Sequence, residues 1–172
     1  MMNVVFLDVD GVLNCDTTKD KVTDYTGTQY MGVEDRLVEN LAKIIKATNA
    51  EIVLTSTWKT CWDVQMPNGE MEPMAKYLVL KLKKQGLHIA DRTLDRENGD
   101  RGYGIKRWLK RFPEVERWIV LDDQVFLDYE TEGILPHLIK TNFLCGLTDE
   151  NVKEAIDFLT KPITIKYKKE KK

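Results

Sequence analysis

The chain has 172 residues, 42% of them hydrophobic, with 26 lysines and arginines against 28 acids and a net charge of -2. That length and apolar content suit one globular domain with a real core, and the near balance of charge gives no global reason to expect nucleic acid as a partner. No apolar stretch approaches the roughly eighteen residues of a membrane span, and the first residues lack the pattern of a secretory signal, so the expectation is a cytoplasmic protein with no membrane partner.

In chain order, Val4, Val5, Phe6 and Leu7 form a short apolar run rich in branched and aromatic side chains and closed by Gly11, which predicts a buried strand. It delivers Asp8 and Asp10 to its carboxyl end, the edge of an open α/β sheet where ligands bind. Residues 32–50 carry Val33, Leu37, Leu41, Ile44 and Ile45 at helical spacing, and residues 51–56 read as a second buried strand ending on Thr55 and Ser56. Residues 73–85 predict a helix stopped by Gly86, with a weak strand at residues 87–89. Residues 102–112 place Ile105, Trp108, Leu109 and Phe112 on one helical face before Pro113, and residues 118–121 then run into Asp122 and Asp123. A late strand at residues 138–140 precedes Thr148, a good N-cap for a helix through residue 159, and residues 163–165 read as a short edge strand before a lysine-rich tail.

Alternating strands and helices argue for an α/β fold: a three-layer, Rossmann-like parallel sheet with helices on both faces. Cys15, Cys61 and Cys145 are far apart and lack zinc-like spacing, so they are expected to be reduced thiols serving as small buried hydrophobes. Three strand ends carry polar groups: Asp8 and Asp10, Thr55 and Ser56, Asp122 and Asp123. A parallel sheet brings these ends to one edge, where clustered carboxylates repel one another unless a cation neutralises them. Mg²⁺ is suited to such a set, since it takes one or two carboxylates together with waters and phosphate oxygens. A calcium loop of the EF-hand type does not fit, because Gly11 comes too early and position 19 is Lys19.

The ordered set Asp8-Val9-Asp10-Gly11, Thr55-Ser56, Arg101-Gly102 and Asp122-Asp123 resembles the haloacid dehalogenase (HAD) superfamily of phosphohydrolases over most of the chain. The resemblance implies Asp8 as nucleophile, forming an aspartyl-phosphate, and Asp10 as general acid/base. It implies Thr55 or Ser56 as the phosphate-binding hydroxyl, and Arg101, with Lys106 second, as the cation that stabilises the transferring phosphoryl group. It further implies Mg²⁺ held by Asp8, the Asp10 carbonyl, Asp122 and Asp123, with Asp123 favoured over Asp122 as direct ligand and Asp128 completing the acidic set. The Thr55-Ser56-Thr57-Trp58-Lys59 segment, the Arg-Gly pair and Gly146-Leu147-Thr148 are similar to HAD domains associated with RNA repair.

The intervals between motifs are short, so residues 1–161 are expected to form one HAD-like domain without a large cap, followed by the edge strand and basic tail at 162–172. Residues 15–31 and 58–71 are the candidate lids, with Tyr25, Tyr30, Trp58 and Trp62 available to stack on a base or sugar. The leading expectation is a Mg²⁺-dependent phosphomonoesterase acting on a nucleotide or polynucleotide end. The alternatives are a small-metabolite or phosphoprotein phosphatase, and a non-catalytic module that binds a phosphorylated ligand.

Overall fold

Strand β1 (Met2–Leu7) is buried along most of its length and occupies the centre of a parallel sheet. The structure, a computed structural model, describes residues 2–96 and 100–161; the expected edge strand at residues 163–165 and the lysine tail lie outside the described residues. After β1 come a hairpin of β2 (Lys21–Thr23) and β3 (Gln29–Met31), then α1 (Asp35–Thr48), β4 (Glu51–Leu54) and a 3₁₀ helix (Thr57–Asp63). The chain continues through α2 (Pro73–Lys83), β5 (Ile89–Arg92), α3 (Arg101–Arg111), β6 (Val115–Asp122), β7 (Leu138–Lys140) and α4 (Asp149–Thr160).

The main sheet has the order β5-β4-β1-β6-β7, and all its neighbours are parallel. Its two-residue side-chain period sorts the core into two layers. Val5 is level with Ile52 and Ile119, and Leu7 with Leu54 and Leu121; this face packs on α1, α2 and α4. Phe6 is level with Val53 and Val120 on the opposite face, where α3 and the segment after β6 supply Ile105, Trp108, Tyr129 and Ile134. Trp108 and Trp118 meet the Phe6 ring edge-on at 5.4 and 5.9 Å, a favoured aromatic arrangement.

Successive connections from β1 first move outward through β4 to β5, then return to place β6 on the other flank of β1. The strand order therefore reverses beside β1, the position where open α/β sheets form a ligand crevice at their carboxyl ends.

Some expected boundaries moved for identifiable reasons. The strand expected at residues 87–89 begins at Ile89, because Gly86 turns with φ of 74° and the Leu87 N–H closes α2 onto the Leu82 carbonyl. The segment 15–31, expected as a loop, contains the β2–β3 hairpin, and the second candidate lid begins with the 3₁₀ helix. Of the three free cysteines, Cys15 is buried, Cys61 half-buried and Cys145 exposed, so only the first serves as a fully buried hydrophobe. Among the described residues no helix is long and apolar enough to cross a membrane.

Thr148 caps α4 in a reciprocal box: its hydroxyl accepts from the Asn151 N–H at 3.3 Å, and the Asn151 side-chain oxygen accepts from the Thr148 N–H at 3.1 Å. Thr148→Ala is expected to lower stability by about 1 kcal/mol, read as a lower urea midpoint with an unchanged m-value.

Candidate active site

The strand ends converge as backbone hydrogen bonds continue past the sheet. The Asp8 N–H donates to the Leu121 carbonyl at 3.0 Å, the Thr55 N–H to the Leu7 carbonyl at 2.8 Å, and the Thr141 N–H to the Asp122 carbonyl at 2.9 Å. Asp8 is thus fixed between Thr55 and Asp122 by the same ladder that builds the sheet. Oxygens of Asp8, Asp122 and Asp123 lie within 4.8 Å of one another.

Arg101, the first residue of α3, reaches into this cluster and is itself buried. Its guanidinium donates to Asp122 at 2.6 Å and pairs with Asp8 at 3.0 Å, with the Phe126 ring 4.1 Å from its centre. Burial works against its charge, yet Asp8 and Asp122 hold it above its ordinary pKa. Burial also pushes the Asp8 carboxyl up to about 7; Arg101 opposes that rise, while Asp122 and Asp10 add to it. Asp123 rises as well, first through burial and then through repulsion by Asp122. The cluster therefore carries more negative charge than one arginine offsets, the condition under which a hard cation is favoured.

Asp122 is already engaged: one oxygen accepts from the Gln124 N–H at 2.9 Å, and the other from Arg101 and from the Tyr129 hydroxyl at 2.9 Å. Burial and Asp122 drive the Tyr129 phenol upward in pKa, so it remains a donor. Asp123 instead lies against Gly11, where an added Cβ would come within 2.5 Å of its carboxylate.

Thr55 and Ser56 are both buried but used differently. The Ser56 hydroxyl accepts from the Trp58 N–H and caps the 3₁₀ helix, whereas the Thr55 hydroxyl has no protein partner. A buried polar group in that condition marks either strain or a missing ligand. Lys59 fixes the neighbouring backbone by donating to the Thr55 carbonyl at 3.0 Å, while pairing with Asp95 at 2.6 Å.

Asp10 is exposed, but two neutral donors hold its carboxylate: Asn14 at 2.8 Å and the Trp58 indole N–H at 3.0 Å. The Asn14 side chain also accepts from the Gly11 N–H at 2.9 Å, closing the turn. Trp58 is only 4% exposed, so its ring is a wall that orients Asp10, in contrast to the stacking platform expected from sequence. Trp62 packs against the core with Arg92 over its ring.

Lys106 makes no ion pair with these acids; its charge acts on His137. Asp128 is likewise placed elsewhere than in the acidic set, accepting from the Gly102 and Tyr103 N–H groups at 3.1 and 2.8 Å. It thereby caps α3 and fixes the helix start from which Arg101 projects. Sequence reading missed Asn14, the Trp58 hydrogen bond, Asp128 as a cap and Tyr129. Only the nearness of Asn14 to Asp10 and Gly11 in the chain offered a local signal.

Residues 4–152 match the family described as the HAD domain in Swiss Army Knife RNA repair proteins. No curated protein matches the chain significantly. Among solved structures, similarity is found to a hypothetical protein from Xanthomonas campestris, at 9% identity and a TM-score of 0.46, covering 92% of this chain and 82% of that one. Similarity is also found to a Vibrio cholerae structure described provisionally as a 3-deoxy-D-manno-octulosonate 8-phosphate phosphatase, at 12% identity and a TM-score of 0.41, covering 92% and 83%.

Gly11 has φ of 73° and no room for a Cβ beside Asp123. Gly11→Ala is expected to cost about 1–3 kcal/mol from backbone strain alone, measured as a fall in ΔG of unfolding, with displacement of Asp123 visible in a crystal structure of the variant.

Proposed function

The chain belongs to the family of HAD domains found in Swiss Army Knife RNA repair proteins, and from that premise we propose that it is a HAD-type phosphatase, a phosphomonoester hydrolase working through an aspartyl-phosphate. The observation that carries this reading is the convergence of Asp8, Asp122, Asp123 and Arg101 with the unpartnered Thr55 hydroxyl at one sheet edge.

In this reading Asp8 attacks phosphorus in line; the new bond joins its carboxylate oxygen to phosphorus as the bond to the leaving oxygen breaks. Asp10 gives a proton to that oxygen, then takes one from the water that hydrolyses the acyl phosphate. The Thr55 hydroxyl donates to a phosphoryl oxygen; what favours it over Ser56 is that its hydroxyl is unpartnered, whereas that of Ser56 already serves as a cap. Arg101, rather than Lys106, stabilises the phosphoryl charge, positioned by Asp122 and by the Asp128 cap on α3.

The oxygen-only donor set and the excess negative charge fit Mg²⁺, which Asp8 and Asp123 would hold together with the Asp10 carbonyl that the family resemblance implies. Asp122, with both oxygens engaged, serves to hold Arg101 and Tyr129. The cation would screen the repulsion between the Asp8 carboxylate and an anionic phosphate. The substrate class is a nucleotide or polynucleotide end, reached without a large cap domain, in a cytoplasmic protein.

Phosphate release from an aryl phosphate is expected to require Mg²⁺ and to be abolished by Asp8→Asn; release that persists in Asp8→Asn would overturn the covalent mechanism. Trp58→Phe keeps the ring but removes the hydrogen bond to Asp10, and is expected to lower kcat by about tenfold or more, in line with about 1.5–3 kcal/mol for a bond to a charged group. KM should stay near the wild-type value in the same steady-state assay, because the lost bond orients Asp10 and does not touch substrate.

A further inference from the structure

A cavity of about 440 Å³ opens beside Asp10, between the β2–β3 hairpin on one side and the 3₁₀ helix with the start of α2 on the other. Its size falls within the range of small-molecule sites, about 300–1,000 Å³. Asp10 lines it, while Asp8, Asp122, Asp123 and Arg101 do not. If Asp10 protonates the leaving oxygen, whatever is attached to that oxygen lies on this side, away from Asp8.

The charges of the lining are one-sided. Asp10, Asp24 and Glu72 contribute three carboxylates, and no lysine or arginine lines the cavity among the described residues. These carboxylates are largely spent on the protein. Asp24 accepts from the Thr26 N–H, the Thr26 hydroxyl and the Thr28 N–H, which holds it ionised below its usual pKa. Glu72 accepts from the N–H groups of Tyr25, Met74 and Ala75. The Cys61 thiol is pushed up to about 12 by burial and by Glu72, so it adds a neutral wall. Tyr25 and Tyr30 are 56% and 43% exposed, and together with Trp58, Val64 and Met74 they give the cavity flat and apolar surfaces.

A smaller cavity of about 260 Å³ lies across the 3₁₀ helix and does contain Lys59, Arg92 and Arg96. Each of these cations has a carboxylate partner in Asp95, Asp63 or Asp100. That neighbour therefore does not supply an uncompensated cationic seat for a second phosphate.

We infer that the hairpin cavity receives the leaving group of the phosphomonoester and selects an uncharged, flat group of about one nucleoside, discriminating against leaving groups that carry a further phosphate. This rests on the phosphatase reading and narrows its substrate class from nucleotides and polynucleotide ends to mononucleotides. The physical basis is twofold: aromatic faces favour a planar base, and a second phosphate brought beside the Asp24 and Glu72 carboxylates, with Asp10 carrying the proton it donates, meets like-charge repulsion without a compensating cation.

The test compares kcat/KM for adenosine 5′-monophosphate, adenosine 3′,5′-bisphosphate and a short 5′-phosphorylated oligonucleotide, with p-nitrophenyl phosphate as the reference. The monophosphate is expected to exceed both multiply charged substrates by about tenfold or more. Thr60→Lys, which sets an ammonium at the cavity rim, is expected to reduce the monophosphate-to-bisphosphate ratio several-fold. Tyr25→Ala and Tyr30→Ala are expected to raise KM for the monophosphate by about tenfold. Equal or higher efficiency for the bisphosphate or the oligonucleotide, with p-nitrophenyl phosphate still hydrolysed through Asp8, overturns the cavity assignment alone. Failure to hydrolyse any of the four substrates overturns the phosphatase reading and the cavity assignment with it.

Discussion

The ion pair that organises this protein is the one Arg101 makes with Asp8 and Asp122, at 3.0 and 2.6 Å. Three charged groups in a nearly dry site would be costly without good geometry and further hydrogen bonds, because desolvation opposes each of them. Here the geometry is supplied from outside the cluster. Asp128 fixes where α3 begins, Tyr129 and the Gln124 N–H satisfy the remaining capacity of Asp122, and Phe126 covers the guanidinium face. The segment immediately after β6 therefore does more than connect two strands, since four of its residues hold one arginine in place. The same segment also supplies Tyr129 to the core layer beneath Phe6, which couples packing on that face of the sheet to the position of the arginine.

The charge balance of the cluster links this fold to its chemistry. Two of the carboxylates are positioned by sheet ladders that cannot relax without breaking backbone hydrogen bonds, so their repulsion cannot be relieved by moving apart. It must be met by a counter-charge, by protonation, or by both. Asp8, raised to about 7 first by burial and further by Asp122 and Asp10, shows both demands acting on one group.

Much of this was legible in the sequence because it is encoded locally. The run from Val4 to Gly11, the helical spacing of α1 and α3, and the N-cap Thr148 each declare themselves within a few residues. The choices that sequence left open depend on distant partners. Whether Arg101 or Lys106 faces the acids depends on where α3 starts, and Asp128, far along the chain, sets that start. Whether Thr55 or Ser56 offers a hydroxyl depends on which one caps the 3₁₀ helix, an element whose periodicity is too short to detect beforehand. Trp58 read as a stacking residue because no local pattern reports the direction of an indole N–H. The hairpin was invisible because its strands are three residues each, so the single alternation around Val22 is too short to stand out.

That hairpin is fastened at its roots and open at its tip. Asp20 receives the Tyr77 hydroxyl at 2.7 Å and pairs with Lys81, which also pairs with Asp35, while Gly32 sits so close to Tyr77 that a Cβ would not fit. At the other end Gly27 faces open space, and the turn is held by Asp24 through contacts within the turn itself. A tip built mainly on its own contacts, with the Tyr25 N–H to Glu72 as its tie to the start of α2, is an exchangeable cassette on a rigid base. Selection, natural or in the laboratory, can lengthen it, recompose it or replace it wholesale while the sheet edge beneath retains its catalytic geometry.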